Sequence, residues 1–242
     1  MADGTVPRSN GHRLVLFDID GTLLSAGKVA RDSILRALEA AYGWKATDQH
    51  QDRARYDFSG KTDPQIVREL VMEDVGRERF EERLPEALRL YLEELERLLV
   101  PGSVVPKPGI SELLARLAEQ PNVTLGLLTG NLEPGARLKL APPGYNPYFA
   151  FGAFGSDSHD RYDLPAIAVE RALAHTGRCF EGKAVVIVGD SVHDVACGRS
   201  LGVRAVAVAT GLTSAERLSE EGPDAVFQDF SDTRRALEAI LG

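Results

Sequence analysis

The stretch RLVLFDIDGT, residues 13–22, decides the fold. Its apolar core, Leu14 to Phe17, stops abruptly at Asp18, Asp20 and Gly21. A short apolar run without polar alternation suits a strand covered on both faces, and the sudden change to acids and glycine marks its carboxyl end. Similar runs recur at Val123–Leu128, Phe149–Phe154, Ala184–Val188 and Val203–Val208, with a short sixth at Ala225–Phe227. Helical patterns separate them, at Ile110–Glu119, Leu164–His175, Val195–Leu201 and Thr233–Leu241. Strands alternating with helices predict an α/β fold, a doubly wound and mostly parallel sheet.

One interval breaks this rhythm. About a hundred residues separate the first run from the second, whereas a parallel crossover needs about a dozen. The excess reads as helices at Val29–Tyr42, Pro64–Asp74 and Glu78–Leu99, the last heavily charged with leucines at helical spacing. Pro101, Pro106 and Pro108 close the segment. The expected organisation is therefore a core formed by residues 1–24 and 108–242, with a helical insertion over 25–107. Loops after parallel strands border the binding crevice, so the insertion is placed to act as a lid. Residues 1–12, rich in small and turn residues, are expected to form a loose leader.

Composition limits the possible functions. The 242 residues are 43% hydrophobic and 26% charged, ordinary for a soluble globular chain. With 28 basic and 36 acidic residues the formal net charge is −8, which makes nucleic acid and anionic membrane poor default partners. The two cysteines, Cys179 and Cys197, form no zinc-type or disulfide pattern. No apolar run approaches the length of a membrane-spanning helix, and the opening MADGTVPRSNGH carries no apolar signal core. A reducing cytoplasm is the expected compartment. The sequence is silent on oligomeric state.

The polar residues fall where a site would be built. Asp18 and Asp20 follow the first run, Thr129 the second, and Asp190 with Asp194 the fourth. Ligands of open α/β sheets bind at those carboxyl ends. Carboxylates and a hydroxyl converging from three strand ends suit a hard, oxygen-seeking cation such as Mg²⁺. Such a cation also answers an electrostatic objection, because it lets an anionic phosphate approach a cluster of acids.

These strings carry a resemblance. DIDGTL at 18–23 is similar to the first signature of the haloacid dehalogenase-like phosphohydrolases, LLTGN at 127–131 to the second, and GDSVHD at 189–194 to the fourth. The third signature is a basic residue ahead of a helix, and Arg161 in HDRYDLPAIAVERA is the best match, with arginine where lysine is usual. Order and spacing agree over roughly residues 13–210, and the long insertion matches the family's helical cap. The phosphoglycolate phosphatase-like branch is the nearest likeness. The resemblance implies a Mg²⁺-dependent phosphatase acting on a small-molecule phosphate monoester. Asp18 would attack phosphorus to give an aspartyl-phosphate, and Asp20 would serve as acid and then base. The metal would be held by Asp18, the Asp20 backbone carbonyl and Asp190, with Asp194 helping directly or from behind. Thr129, Gly130, Asn131 and Arg161 would hold the phosphoryl oxygens.

Some residues admit a plainer reading. Asp194 fits a helix-start acid favoured by the helix dipole, and Arg161 fits a solvated loop. SGKTD at 59–63 mimics the end of a nucleotide-binding loop, but position 55 is Arg where that loop needs glycine, so a kinase is excluded. Gly60 and Lys61 remain candidate substrate contacts; the alternative is a helix start at Thr62 or Asp63 ahead of Pro64. Two rivals share the same residues. A β-phosphoglucomutase-like mutase would return the phosphoryl group to substrate, and a phosphate-binding regulatory module would lack turnover. A dehalogenase is disfavoured, since carbon–halogen displacement has no use for Asp20 or the acidic fourth signature.

Overall fold

A computed structural model of the protein describes residues 11–45 and 56–242. The first ten residues of the expected leader, and residues 46–55 of the expected insertion, lie outside the described residues. Six strands form one sheet: β1 (Arg13–Phe17), β4 (Val123–Leu128), β5 (Gly152–Ala153), β6 (Val185–Gly189), β7 (Arg204–Val208) and β8 (Ala225–Phe227). Their order across the sheet is β5-β4-β1-β6-β7-β8, and every pairing is parallel. The chain thus runs outward from β1 in one direction, then returns to its other side. The reversal at β1 and β6 opens a crevice above their carboxyl ends.

The run in β1 lacks alternation because both faces are covered. Val15 and Phe17 point to one side, with Leu127 and Val188, against α4 (Ile110–Ala118) and α9 (Thr233–Leu241). Leu14 and Leu16 point to the other, with Leu128 and Ile187, against α6 (Leu164–Thr176). Leu14, Val15, Leu16 and Phe17 are all fully buried.

Between β1 and β4 the chain leaves through β2 (Leu24–Ser25) and returns through β3 (Val105–Pro106), which pair antiparallel with Leu24 opposite Pro106. Between them lie α1 (Val29–Tyr42), α2 (Asp63–Val75) and α3 (Arg77–Leu98). These helices bury their own apolar cluster, including Ile34, Leu38, Ile66, Leu70, Phe80, Tyr91 and Leu95, and Leu132 of the core joins it. The insertion therefore has a core of its own that touches the main body beside the β4 loop. No described helix is long and apolar enough to cross a membrane.

Some elements differ from the sequence expectation. The apolar run 149–154 yields a strand only at Gly152–Ala153. Phe149 and Phe154 are apolar because they are buried, with Phe149 edge-on to Phe17, rather than because they sit in a ladder. The helix expected at 195–201 begins earlier, as α7 (Val192–Cys197), and then tightens into a 3₁₀ turn at Arg199–Leu201. Two further helices, α5 (Glu133–Leu140) and α8 (Ala215–Glu220), occupy stretches in which the sequence reading named no element. In the structure Pro134 lies in the first turn of α5 and Ser214 caps α8, accepting from the Arg217 N–H.

Candidate active site

The backbone leaves β1 in its ladder, the Asp18 N–H donating to the Val188 carbonyl at 3.0 Å. It then wraps tightly, with the N–H groups of Thr22, Leu23 and Leu24 all converging on the Ile19 carbonyl. Gly21 sits at φ 90°, in the left-handed region, and a Cβ there would strike the Asp190 carboxylate. The close approach brings the first and fourth signatures together. Thr22 Oγ1 donates to Asp190 Oδ1 at 3.0 Å.

Asp18, Asp190 and Asp194 are all buried, and each offers an oxygen within 4.8 Å of the others, so this cluster could hold a metal ion. Burial pushes the Asp18 carboxyl up to about 7, against the pull of Arg161, and the Asp194 and Asp20 charges add to the rise. Asp190 is driven well above the usual range by burial, then by Asp18 and Asp194. Three buried carboxylates this close together fit a cation, whose charge would offset both their desolvation and their mutual repulsion.

Arg161 supplies one compensating charge. It begins a 3₁₀ turn, Arg161–Asp163, capped by Asp160, and only 3% of it is exposed. Its Nη2 donates to Asp18 Oδ1 at 3.2 Å and to Asp194 Oδ1. Its Nε is buried and has no hydrogen-bond partner among the described residues. Asp194 is also the third residue of α7 in a reciprocal cap: its Oδ2 accepts from the N–H and hydroxyl of Ser191, at 3.0 and 2.6 Å. Both Asp194 oxygens are therefore already engaged, one by Arg161 and one by Ser191.

Asp20 is turned away from the cluster. Its Oδ2 accepts from Asn131 Nδ2 at 2.8 Å and from Lys139 Nζ at 2.7 Å. Thr129, fully buried at the end of β4, accepts from Asn131 Nδ2 at 2.8 Å. Gly130 lies against the insertion: its carbonyl accepts from the Asp63 N–H at 2.8 Å, and a Cβ on it would strike the Lys61 carbonyl. Asp63 Oδ2 accepts in turn from the Leu132 N–H at 2.8 Å. The start of α2 is thus seated on the loop after β4. Thr62 caps α2, accepting from the Gln65 N–H at 3.2 Å, so the SGKTD stretch does form a helix start. Gly60 and Lys61 nevertheless line the same cavity as Asp18, although Lys61 Nζ is held by Tyr56 and Glu69, at 2.5 and 2.7 Å.

The cavity has a volume of about 310 Å³ and lies between the strand ends and the insertion. Arg31, Lys61, Lys107, Lys139 and Arg161 line it against Asp18, Asp20, Asp63 and Asp190. Five cations against four anions make it locally basic in a chain of net charge −8. That local balance is what an anionic ligand needs. Sequence reasoning missed Lys139 and Asp63. The available signal for Lys139 was its place beside Ala136 and Leu140 on one helical face, which has meaning only once α5 is recognised.

Comparisons with known proteins bear on the family and the fold. A phosphoglycolate phosphatase from Synechococcus elongatus is 25% identical over 229 residues, spanning 94% of this chain and 98% of that protein. Pyrophosphatase PpaX from Bacillus pumilus is 23% identical over 232 residues, spanning 94% and 95%. Among solved structures, a predicted phosphoglycolate phosphatase from Haemophilus somnus superposes with a TM-score of 0.69 at 20% identity, over 93% of this chain and 98% of that one, which supports the fold. The family model described as haloacid dehalogenase-like hydrolase matches residues 12–202. That span takes in the stretches 18–23, 127–131 and 189–194 as well as the helical insertion, and the chain belongs to the haloacid dehalogenase-like hydrolase family.

Proposed function

We propose that this protein is a Mg²⁺-dependent phosphatase that hydrolyses a small-molecule phosphate monoester through a phosphorylated Asp18, with residues 25–107 serving as a cap over the site. The observation that carries the proposal is the pairing of a buried Asp18, held by Arg161 beside Asp190, with a second acid, Asp20, two residues on and separately tethered. Two aspartates so close, in such different surroundings, suit two different tasks.

In the first step an Asp18 oxygen forms a bond to phosphorus as the ester P–O bond breaks, and Asp20 gives its proton to the departing oxygen. In the second, water attacks phosphorus, Asp20 takes a proton from it, and the bond to Asp18 breaks to release phosphate. Asp18, the Asp20 carbonyl and Asp190 would hold Mg²⁺, which when bound supplies charge neutralisation for the transferring group. Asp194, whose oxygens accept from Arg161 and Ser191, would help to hold the ion directly or from behind. Thr129 lends its hydroxyl, the Gly130–Asn131 loop its backbone N–H groups, and Arg161 its unpartnered buried N–H, to phosphoryl oxygens. Gly60 and Lys61 reach the cavity from the cap side and would meet the rest of the substrate.

The related names diverge between phosphoglycolate and pyrophosphate chemistry, so they support phosphoryl transfer more strongly than any one leaving group. The test is a panel of metabolite phosphates assayed for phosphate release with Mg²⁺ and with EDTA. Release that needs Mg²⁺ is the expected result. No release from any ester by folded, metal-loaded protein, or equal release in EDTA, would overturn the proposal.

A further inference from the structure

Lys139 stands out because its position on α5 is one an apolar residue would normally take. The buried residues of α5 are Gly135, Ala136, Lys139 and Leu140, a stripe at helical spacing. Lys139 is only 1% exposed. A buried ammonium is tolerated only when its donors are met. Here two are: one by Asp20 Oδ2 at 2.7 Å and one by Asn131 Oδ1 at 2.5 Å. An ammonium can only donate, so it fixes which end of the Asn131 amide faces it. The amide nitrogen is then left to face Asp20, which it meets at 2.8 Å. Lys139 thus reaches Asp20 twice, once directly and once by setting Asn131. Asp20 would otherwise be loosely placed, since its side chain is 41% exposed. Both donors converge on Oδ2, and Oδ1 accepts from no described residue.

We propose that Lys139 is a positioning residue for Asp20, pinning Oδ2 so that Oδ1 is the oxygen presented to the leaving group. This rests on the phosphatase reading above. It explains why a lysine occupies the buried stripe of a helix that otherwise only packs. It also links the site to the insertion, because Asp63 anchors Leu132, the residue after Asn131.

The test is a double-mutant cycle on the full chain, read in single turnover with an alkyl phosphate and with p-nitrophenyl phosphate. Lys139→Met keeps length and removes the donor. It should slow phosphoryl transfer from the alkyl phosphate about 10²-fold, the scale of a misplaced catalytic group, with KM little changed. The loss on p-nitrophenyl phosphate, whose leaving group needs no proton, should be far smaller. In the Asp20→Asn background, Lys139→Met should cost nothing further. Lys139→Gln, which restores a donor without the charge, should recover part of the loss, and the same cycle is run with it where Lys139→Met does not fold. Losses that multiply in the double variant, or that are equal for both leaving groups, would overturn the proposal and leave Lys139 a structural residue. A wild-type protein that releases no phosphate would instead overturn the phosphatase reading itself, before any variant is compared.

Discussion

Arg161→Met removes the charge that holds the acidic cluster together while keeping an unbranched side chain in its place. The guanidinium is 3% exposed and contacts both Asp18 and Asp194. Taking one partner from a buried charge group costs about 3–5 kcal/mol, because the other is left buried and uncompensated. At this chain length about 2–4 °C of melting temperature corresponds to each kcal/mol, so the expected fall is roughly 6–20 °C. The fall should depend on pH. The folded Asp18 carboxyl sits at about 7, above its ordinary 3.8, so its contribution to stability is complete below the unfolded value and is lost as pH rises through about 7. Without Arg161 the folded value climbs further and more stability is lost above neutrality. Thermal unfolding in EDTA should therefore show a large deficit at pH 8 and a small one at pH 5, and Mg²⁺ should recover part of the deficit at pH 8. An equal deficit at both pH values, or none, would refute the electrostatic account of the site.

Two further outcomes concern the seating of the insertion. Burial lifts Asp63 to about 6 from its ordinary 3.8, with Lys139 pulling the other way, so wild-type stability should decline as pH rises between about 4 and 6. Asp63→Asn keeps an acceptor for the Leu132 N–H and should flatten that decline, gaining on wild type by up to roughly 3 kcal/mol at pH 7 in denaturant titrations; a parallel pH profile would disprove it. Gly130→Ala would drive a methyl group into the Lys61 carbonyl. It should unseat the start of α2, seen as faster hydrogen exchange at the Asp63 N–H and a weaker apparent affinity for phosphate esters, whereas unchanged exchange would contradict the seating.

The sheet was legible because each central strand announces itself twice, by an unbroken apolar run and by the acid or hydroxyl directly after it. Asp18, Thr129 and Asp190 were found that way, and all three line the cavity. What escaped was whatever depends on tertiary partners. Lys139 reads as a surface lysine, since only the folded neighbours, Asp20 and Asn131, make burial of its charge tolerable. Pro134 and Gly135 hid α5, because a proline that breaks a helix interior is welcome in a first turn. The run 149–154 misled in the opposite sense: phenylalanines anchored in a core resemble a strand when only two residues pair. Asp63 was read as a helix start, which it is, but nothing local shows that its carboxylate reaches across to Leu132.

The central claim is that Asp18 carries the phosphoryl group. The most direct test mixes Mg²⁺-loaded protein with a radiolabelled phosphate ester, quenches it in acid within a turnover, and maps the label by peptide mass spectrometry. Asp20→Asn is run alongside with labelled p-nitrophenyl phosphate, whose leaving group needs no proton, so that loss of the base slows only the second step and the intermediate accumulates. The expected result is an acid-stable, hydroxylamine-labile label on the peptide containing Asp18, stronger in Asp20→Asn than in wild type and absent in Asp18→Asn. Phosphate release with no labelled protein in either form, or a label that survives Asp18→Asn, would contradict the account.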